Sequence, residues 1–417
     1  MKQIVFLAVL FFVGCSGSRE NIDLSKSVED NSVKKLQLQN PPSIGKSSSG
    51  QEFFLGGFSG LRYVGKSDDG RYRFVSHTDR GPNAQEIEQG KTIKRPFALP
   101  DFQPRILYFL VDPKKGQWEI ERQILLKRPD RKPLSGLPQR IGQEVPTNLP
   151  GRILPFDPYG LDLEGIGIAP DGSYWMVDEY GPSLVKFSVD GKMLEIMKPG
   201  SGLPKILEQR RLNRGFEGAA IYGNRFYAIL QSPLDNPVSD GAANSKKSQV
   251  VRILEVDLAK KRTLGQFAYL LDADKADRVG DLAFDGVRSL LVLEHNGKSG
   301  KKSYKRVYRA NLTLATNLQL VSDRIAGPGG ALEGWDTDRL KASGIQVVEK
   351  EEVVDLDRLG ITEEKVEGIE IVENEWLVVL TDNDFQLSGE LDASTGFAKE
   401  KAEPSALYFI PASLWKK

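Results

Sequence analysis

The chain has 417 residues, enough for one large repeat domain or two or three ordinary ones. Its 57 basic and 57 acidic side chains cancel, and no basic tract is interleaved with aromatics, so nucleic acid is not an expected partner. One cysteine and two histidines leave no disulfide, no cysteine-ligated zinc and no three-histidine metal centre.

The first segment, "MKQIVFLAVLFFVGCSGSRE", reads as a processing signal. Lys2 supplies the positive end, and Ile4–Val13 an apolar stretch too short for a comfortable membrane span. Gly14 then precedes the lone Cys15, an arrangement that resembles a bacterial lipobox, although Phe12 is a less usual residue there. The expectation is a signal peptide over 1–14 and a mature chain held to the cell envelope through lipid on Cys15. An outer-membrane position facing the periplasm or the exterior fits Ser16 better than inner-membrane retention does. Residues 15–50 are polar with scattered apolar positions and read as a flexible tether, with the folded domain over 51–417.

From Phe53 onward the periodic signal is short strands. Runs such as "RYRFVS", "ILYFLVD", "SYWMVD", "NRFYAIL", "RSLLVLEH" and "EWLVVLTD" are divided by Asp-Gly, Gly-Asn and similar turns. Only 205–211 and 270–278 have helical spacing. "RPDRKPLSGLPQRIGQEVPTNLPGRILPF" reads as a long surface loop, because its prolines interrupt strand ladders.

The strands recur in one unit. "SGLRYVGKSDDGRYRFVSHTDRG" starts at Ser59 and "EGIGIAPDGSYWMVDEYG" at Glu164. "EGAAIYGNRFYAILQSP" starts at Glu217, "GDLAFDGVRSLLVLEHNG" at Gly280 and "EGIEIVENEWLVVLTDND" at Glu367. An antiparallel hairpin returns the chain to its starting end. Glu164 should therefore lie near Asp178 and Glu179, Glu217 near Gln231, Asp281 near Glu294 and His295, and Glu367 near Asp382 and Asp384. Ser59 should lie near His77 and Asp79. The repeat and the length lead to an all-β expectation: a β-propeller of six or seven blades, mostly four-stranded and antiparallel, with Glu164, Glu217, Asp281 and Glu367 at one end of its channel. A sandwich explains the strands but not the recurring acidic-Gly signature.

Acids gathered in this way repel one another. Arg80, Arg214 and Arg278 offer internal counter-charges, and a hard cation such as calcium is the other solution. The same acids also read as caps on backbone N–H groups. A serine nucleophile fits poorly: Ser76 and His77 are adjacent on a strand and face opposite ways, and no G-x-S-x-G elbow is present. His295 in "LEHNG" has the chemistry of a proton carrier, or of a side chain tied to a strand-end carboxylate. Tyr180 and Trp335 are the aromatic residues best placed for a surface pocket.

The motifs "GGFSGLRY", "SHTDRGPN", "DLEGIGIAPDGSYWMVDEYGPSLVKF", "NRGFEGAAIYGNRFYAILQSPL", "VGDLAFDG" and "KVEGIEIVENEWLVVLTDNDF", in this order over roughly 53–412, resemble the bacterial phytase-like, or "esterase-like activity of phytase", family. The resemblance implies a propeller similar to that of calcium-dependent phytases. It implies catalytic roles for His77, Asp79, Arg80, Arg214 and His295. It implies Ca²⁺ ligands among Glu164, Asp178, Glu179, Glu217, Asp281, Glu294, Glu367, Asp382 and Asp384, with Gln231 and Asn383 beside them. The activity so implied is calcium-dependent hydrolysis of a phosphoric ester by a monomer acting on a small anionic ester, with Arg80, Arg214 or Lys365 on the phosphate oxygens. The alternatives are a non-catalytic binding or scaffold domain, and a calcium-dependent esterase or lactonase.

Overall fold

The computed structural model describes residues 31–90, 92–139, 144–236, 243–272, 274–325, 331–392 and 395–416. The expected signal peptide and the lipid-bearing Cys15 lie outside the described residues. The chain divides into a unit over Met1–Ser32 and a second over Val33–Lys417.

The second unit is built from the recurring hairpins, each extended into a sheet. The first sheet runs Phe58–Lys66, Tyr72–Thr78, Arg105–Asp112 and Gln117–Leu125. The second begins Leu163–Ile168, Tyr174–Asp178, Ser183–Phe187 and Met193–Pro199. The third runs Phe216–Tyr222, Arg225–Leu230, Val250–Asp257 and Arg262–Leu270. The fourth runs Arg278–Gly286, Ser289–His295, Lys305–Asn311 and Glu349–Asp355. The fifth begins Lys365–Val372 and Trp376–Asp382 and continues through Ala406–Pro411 to Lys34–Gln37.

The sequence explains which strands lie deep. "YWMVD" and "LVVL" are unbroken apolar runs, and every residue of Tyr174–Asp178 and of Leu377–Leu380 is buried. Such runs suit strands covered on both faces. The outer strand Gln117–Leu125 is mostly polar and mostly exposed. Apolar cores form where neighbouring sheets meet, as where Val75 and Ile106 of the first sheet pack with Ile166 and Met176 of the second.

The opening strands pack side by side in chain order, and the fifth also packs against the first. Their glycines permit the approach: a Cβ on Gly165 would lie 2.8 Å from the Ala219 nitrogen, and one on Gly218 would lie 2.7 Å from the Leu282 nitrogen.

The β-propeller of six or seven blades expected from the repeat is corrected. Among the described residues the strands form eight separate sheets, five of four or five strands and three of two or three, and none closes on itself. The length-based count failed because much chain goes into other elements. The small sheet of Val145–Asn148, Thr92–Phe97 and Ile87–Gln89 lies outside the five larger ones, and short helical turns occupy Leu318–Val321, Ser322–Ile325, Leu332–Gly334 and Thr337–Ala342. The propeller implied by the resemblance is corrected with it.

Other boundaries shift too. The expected tether belongs to the fold from Lys34, which pairs with Phe409, so the first and last strands of the second unit share one sheet. The proline-rich loop is anchored by buried Leu134, Leu137 and Leu149, and its Val145–Asn148 pairs parallel with Thr92–Phe97. Of the two helical windows, the first holds a 3-10 turn over Lys205–Gln209, and the second holds no helix among the described residues. Tyr180 and Trp335 are buried, Tyr180 with its hydroxyl donating to the Gly136 carbonyl at 2.6 Å, and so are not surface-pocket residues.

Candidate functional site

Each hairpin ladder slips by one residue near the start of its opening strand. Leu163 opposes Asp178 while Gly165 opposes Val177, which leaves Glu164 as the extra residue. The same slip isolates Glu217 between Phe216 and Gly218, and Glu367 between Val366 and Gly368. A bulge of this kind takes a side chain out of the ladder and re-aims it. All three glutamates line one cavity of about 290 Å³. Asp79, Arg80, Glu179, Arg214, Gln231 and Asp384 line it as well, so eight of the residues singled out in the sequence for catalysis or metal binding meet there with Gln231.

The fourth hairpin slips at Gly280, between Val279 and Asp281. Its bulge therefore carries no side chain, and its acid comes one residue later. Asp281 is fully buried away from the cavity lining and pairs with Arg62 at 3.3 Å. It also accepts the Ile369 N–H at 3.1 Å. Equating Asp281 with the repeating glutamates was off by one position, which on a strand means the opposite side. Burial pushes its pKa up to about 6, against the pull of Arg62.

Within the cavity the charges sort into three groups. Oxygens of Asp162, Glu164 and Glu179 all lie within 4.8 Å of one another, and all three side chains are buried. Asp162 is paired with Arg80 at 3.2 Å, and Arg80 also meets Glu144 at 3.1 Å. Glu164 accepts the Ser59 hydroxyl at 3.0 Å. Burial first, then neighbouring Glu217, holds the Glu164 pKa well above the carboxylate range; burial and then Asp162 raise that of Glu179 to about 8. Glu217 is raised by burial and then by Glu179; its Oε2 accepts from the Gln231 amide at 2.8 Å, while its buried Oε1 has no hydrogen-bond partner among the described residues. Three or four carboxylates thus share little positive charge, and a bound divalent cation would relieve them.

The second group is already neutralised. Lys365 reaches Asp384 at 2.7 Å, Asp382 at 2.9 Å and Glu367 at 3.8 Å. Lys401 adds a contact to Asp384 at 3.3 Å. Asp79 accepts the Gly81 N–H at 2.8 Å, and burial followed by Asp382 and Asp162 raises its pKa. The third group is cationic: Arg214 and Arg278, of which Arg278 is paired with Asp277 at 2.8 Å.

Several expected site residues are elsewhere. Asp178 accepts the N–H groups of Asp162, Tyr180 and Gly181 at 3.0 to 3.2 Å and the Ser183 hydroxyl at 3.1 Å, so it caps the hairpin end. Glu294 accepts from Tyr269 at 2.5 Å and from the Asp272 N–H at 2.9 Å and pairs with Lys350 at 2.5 Å, outside the cavity. Asn383 accepts the N–H groups of Gly57 and Phe385. His77 and His295 are fully buried and absent from the cavity lining. Burial keeps both neutral, His77 with a pKa of about 3 and His295 well below the usual value.

Asp162, Glu144 and Arg62 were not singled out from the sequence. Asp162 had a signal in "DLEG", because residues two apart in extended chain point the same way. Glu144 and Arg62 had none, since their partners are remote in sequence.

Residues 54–385 match the family model described as "Phytase-like: Esterase-like activity of phytase". The chain belongs to this family. A curated relative, an "Uncharacterized secreted protein" of Arthroderma benhamiae, is 30% identical over 178 residues, covering 33% of this chain and 34% of that protein. The match thus spans about a third of that relative's length. Among solved structures, a putative 6-phosphogluconolactonase of Bacteroides uniformis is similar with a TM-score of 0.37 at 11% identity, over 91% of this chain and 97% of that one. The luciferin-regenerating enzyme is similar with a TM-score of 0.36 at 10% identity, over 90% and 94%. A Bacteroides ovatus GH43B protein is similar with a TM-score of 0.39 at 9% identity, over 89% and 57%. Likenesses this distant carry no argument about activity. Among the described residues, no helix is long and apolar enough to cross a membrane.

Proposed function

We propose that the protein is an esterase- or lactonase-type hydrolase acting outside the cytoplasm, with its site in the bulge-lined cavity and a divalent cation, calcium by ligand type, at Asp162, Glu164 and Glu179. The observation that carries the reading is the buried carboxylate trio beside an unpartnered oxygen of Glu217. Oxygen-only ligands suit a hard cation. Bound there, such an ion would polarise an ester carbonyl and lower the pKa of a water.

The chain's own side chains favour water over a protein nucleophile. Ser59 donates to the Glu164 carbonyl at 2.7 Å, Ser76 donates to the Gly60 carbonyl at 2.8 Å, and neither neutral histidine lines the cavity. Glu217 is the side chain placed to hold a proton of an attacking water, because Gln231 fixes one oxygen and leaves the other open; it would act as a base only once a cation nearby lowers its raised pKa. The family description supports ester hydrolysis, and the relative's name supports export. Anchoring through lipid on Cys15 is part of the proposal, and mass analysis of membrane-extracted protein checks it.

The test is calcium titration of the full chain by calorimetry. A hydrolysis screen with and without chelator accompanies it, across carboxylic esters, lactones and phosphomonoesters. Saturable binding with chelator-sensitive cleavage of an ester or lactone is expected. Tight calcium binding without cleavage of any ester would favour a binding module instead.

A further inference from the structure

We infer that Arg214 and Arg278 form an anion subsite in the cavity, seating a carboxylate or phosphate group carried by the substrate. This deepens the hydrolytic reading and rests on it for the word substrate. The arginines line the same cavity but have unequal partners. Arg278 spends one N–H on the largely exposed Asp277. Arg214 hydrogen-bonds among the described residues only to the neutral Gln231 side chain, with no carboxylate within ion-pair distance. Burial first, and the Arg278 charge next, push the Arg214 pKa down to about 10. Asp277, Glu217 and Glu367 support the Arg278 charge, whereas at Arg214 burial, Arg278 and Arg211 outweigh Glu179 and Glu217, a cost that a bound anion would offset. The other cations of the cavity differ: Arg80 is taken up by Asp162 and Glu144, and Lys365 by Asp382 and Asp384.

His295, outside the cavity lining, is a neighbour that can report on Arg278. His295 pairs with Arg278 across the ladder, and its Nδ1 accepts the Gly297 N–H at 3.2 Å. The proton of the neutral ring is therefore on Nε2, which is buried and has no acceptor among the described residues. Gly297 also has φ +54°, and a Cβ there would come 3.0 Å from the Arg278 guanidinium carbon. The glycine thus fixes the histidine tautomer and leaves room for the arginine to lie against the backbone. The substrate class is an ester or lactone with an anionic oxygen group, which a guanidinium fork can hold by two parallel hydrogen bonds.

The test titrates chelator-treated full chain with inorganic phosphate and, separately, with succinate, followed by calorimetry and by the nitrogen resonances of its two histidines. Saturable binding of one of the two anions is expected, weakened at least tenfold in both Arg214→Gln and Arg278→Gln. The His295 signal should move and the His77 signal should not. Each substitution removes a repulsive charge, so the variants should fold, and a melting curve checks it. Arg214→Lys, which keeps the charge but loses the fork, should bind with intermediate strength. Binding of neither anion by the wild type, wild-type affinity in Arg214→Gln, or a still His295 signal each overturn the subsite. Arginine-dependent anion binding without cleavage of any ester would keep the subsite and remove the hydrolytic reading. Ester cleavage indifferent to Arg214→Gln would do the reverse.

Discussion

The second and fourth hairpins start from nearly the same pattern and end with opposite chemistry. "LEGIGI" places Glu164 on the bulge and into the cavity, where it joins Asp162 and Glu179. "VGDLAF" places glycine on the bulge, and Asp281, one residue on, faces inward to Arg62. A shift of one position in a period-two element turns a ligand-competent carboxylate into an internal strut. In the fourth hairpin the carboxylate arrives with its counter-charge. In the second it is left underpaid in positive charge, which is where ligand chemistry belongs.

The comparison breaks most visibly at Arg62. Its guanidinium donates to the carbonyls of Leu61 and Ala219, of Leu282 at 2.9 Å and of Ile369 at 3.2 Å, besides pairing with Asp281. Those partners come from the opening strands of the first, third, fourth and fifth sheets. Arg62→Leu would leave Asp281 buried without its cation and should cost about 3–5 kcal/mol, read from urea unfolding. The double variant Arg62→Leu with Asp281→Leu should recover part of the loss, because the Asp281 charge goes too while Glu370, 3.7 Å from Arg62, is left without its cation. A neutral Arg62→Leu would remove the claim that the fourth hairpin's acid is structural.

Legibility followed the same line. Periodicity and hairpin geometry brought Glu164 to Glu179 and Glu217 to Gln231, because local antiparallel pairing is written in local sequence. The bulge is also local, and the unit that starts at Gly280 has it in phase with Glu164, Glu217 and Glu367; only the acid, Asp281, sits one position beyond it. Arg62 and Asp281 are 219 residues apart, and no short-range pattern announces such a pair. The number of sheets could not be read from length, because inserted elements use chain without adding a repeat. The caps Asp178 and Asn383 were legible as Asx-turn residues, and that reading describes their contacts better than metal ligation.

A smaller effect sharpens the second hairpin's side of the contrast. Glu217→Gln keeps the shape and one acceptor oxygen but removes the charge beside Glu179. Ester hydrolysis should fall about 100-fold, roughly 2.7 kcal/mol of barrier, with the melting temperature in chelator unchanged or higher. A parallel loss of stability would instead make Glu217 a strut like Asp281.

The smallest effect is a pH slope, and its sign separates a repulsive cluster from a paired one. The cavity carboxylates have folded-state pKa values raised above their unfolded values near 4, with Glu179 at about 8 and Glu164 and Glu217 well above the usual range. Between the two values the folded protein binds more protons than the unfolded chain, so stability falls as pH rises. The histidines oppose this only below their unfolded pKa of about 6.5, because both are neutral when folded. Lys305, lowered to about 8, opposes it only above that value. Melts in chelator should therefore fall by a few degrees, roughly, from about pH 6.5 to about pH 8. Saturating calcium should flatten the slope, since the ion replaces the protons that held the carboxylates together. A flat profile in chelator would mean that Arg80 and its neighbours already balance Asp162, Glu164 and Glu179, and the second hairpin would then join the fourth as structure.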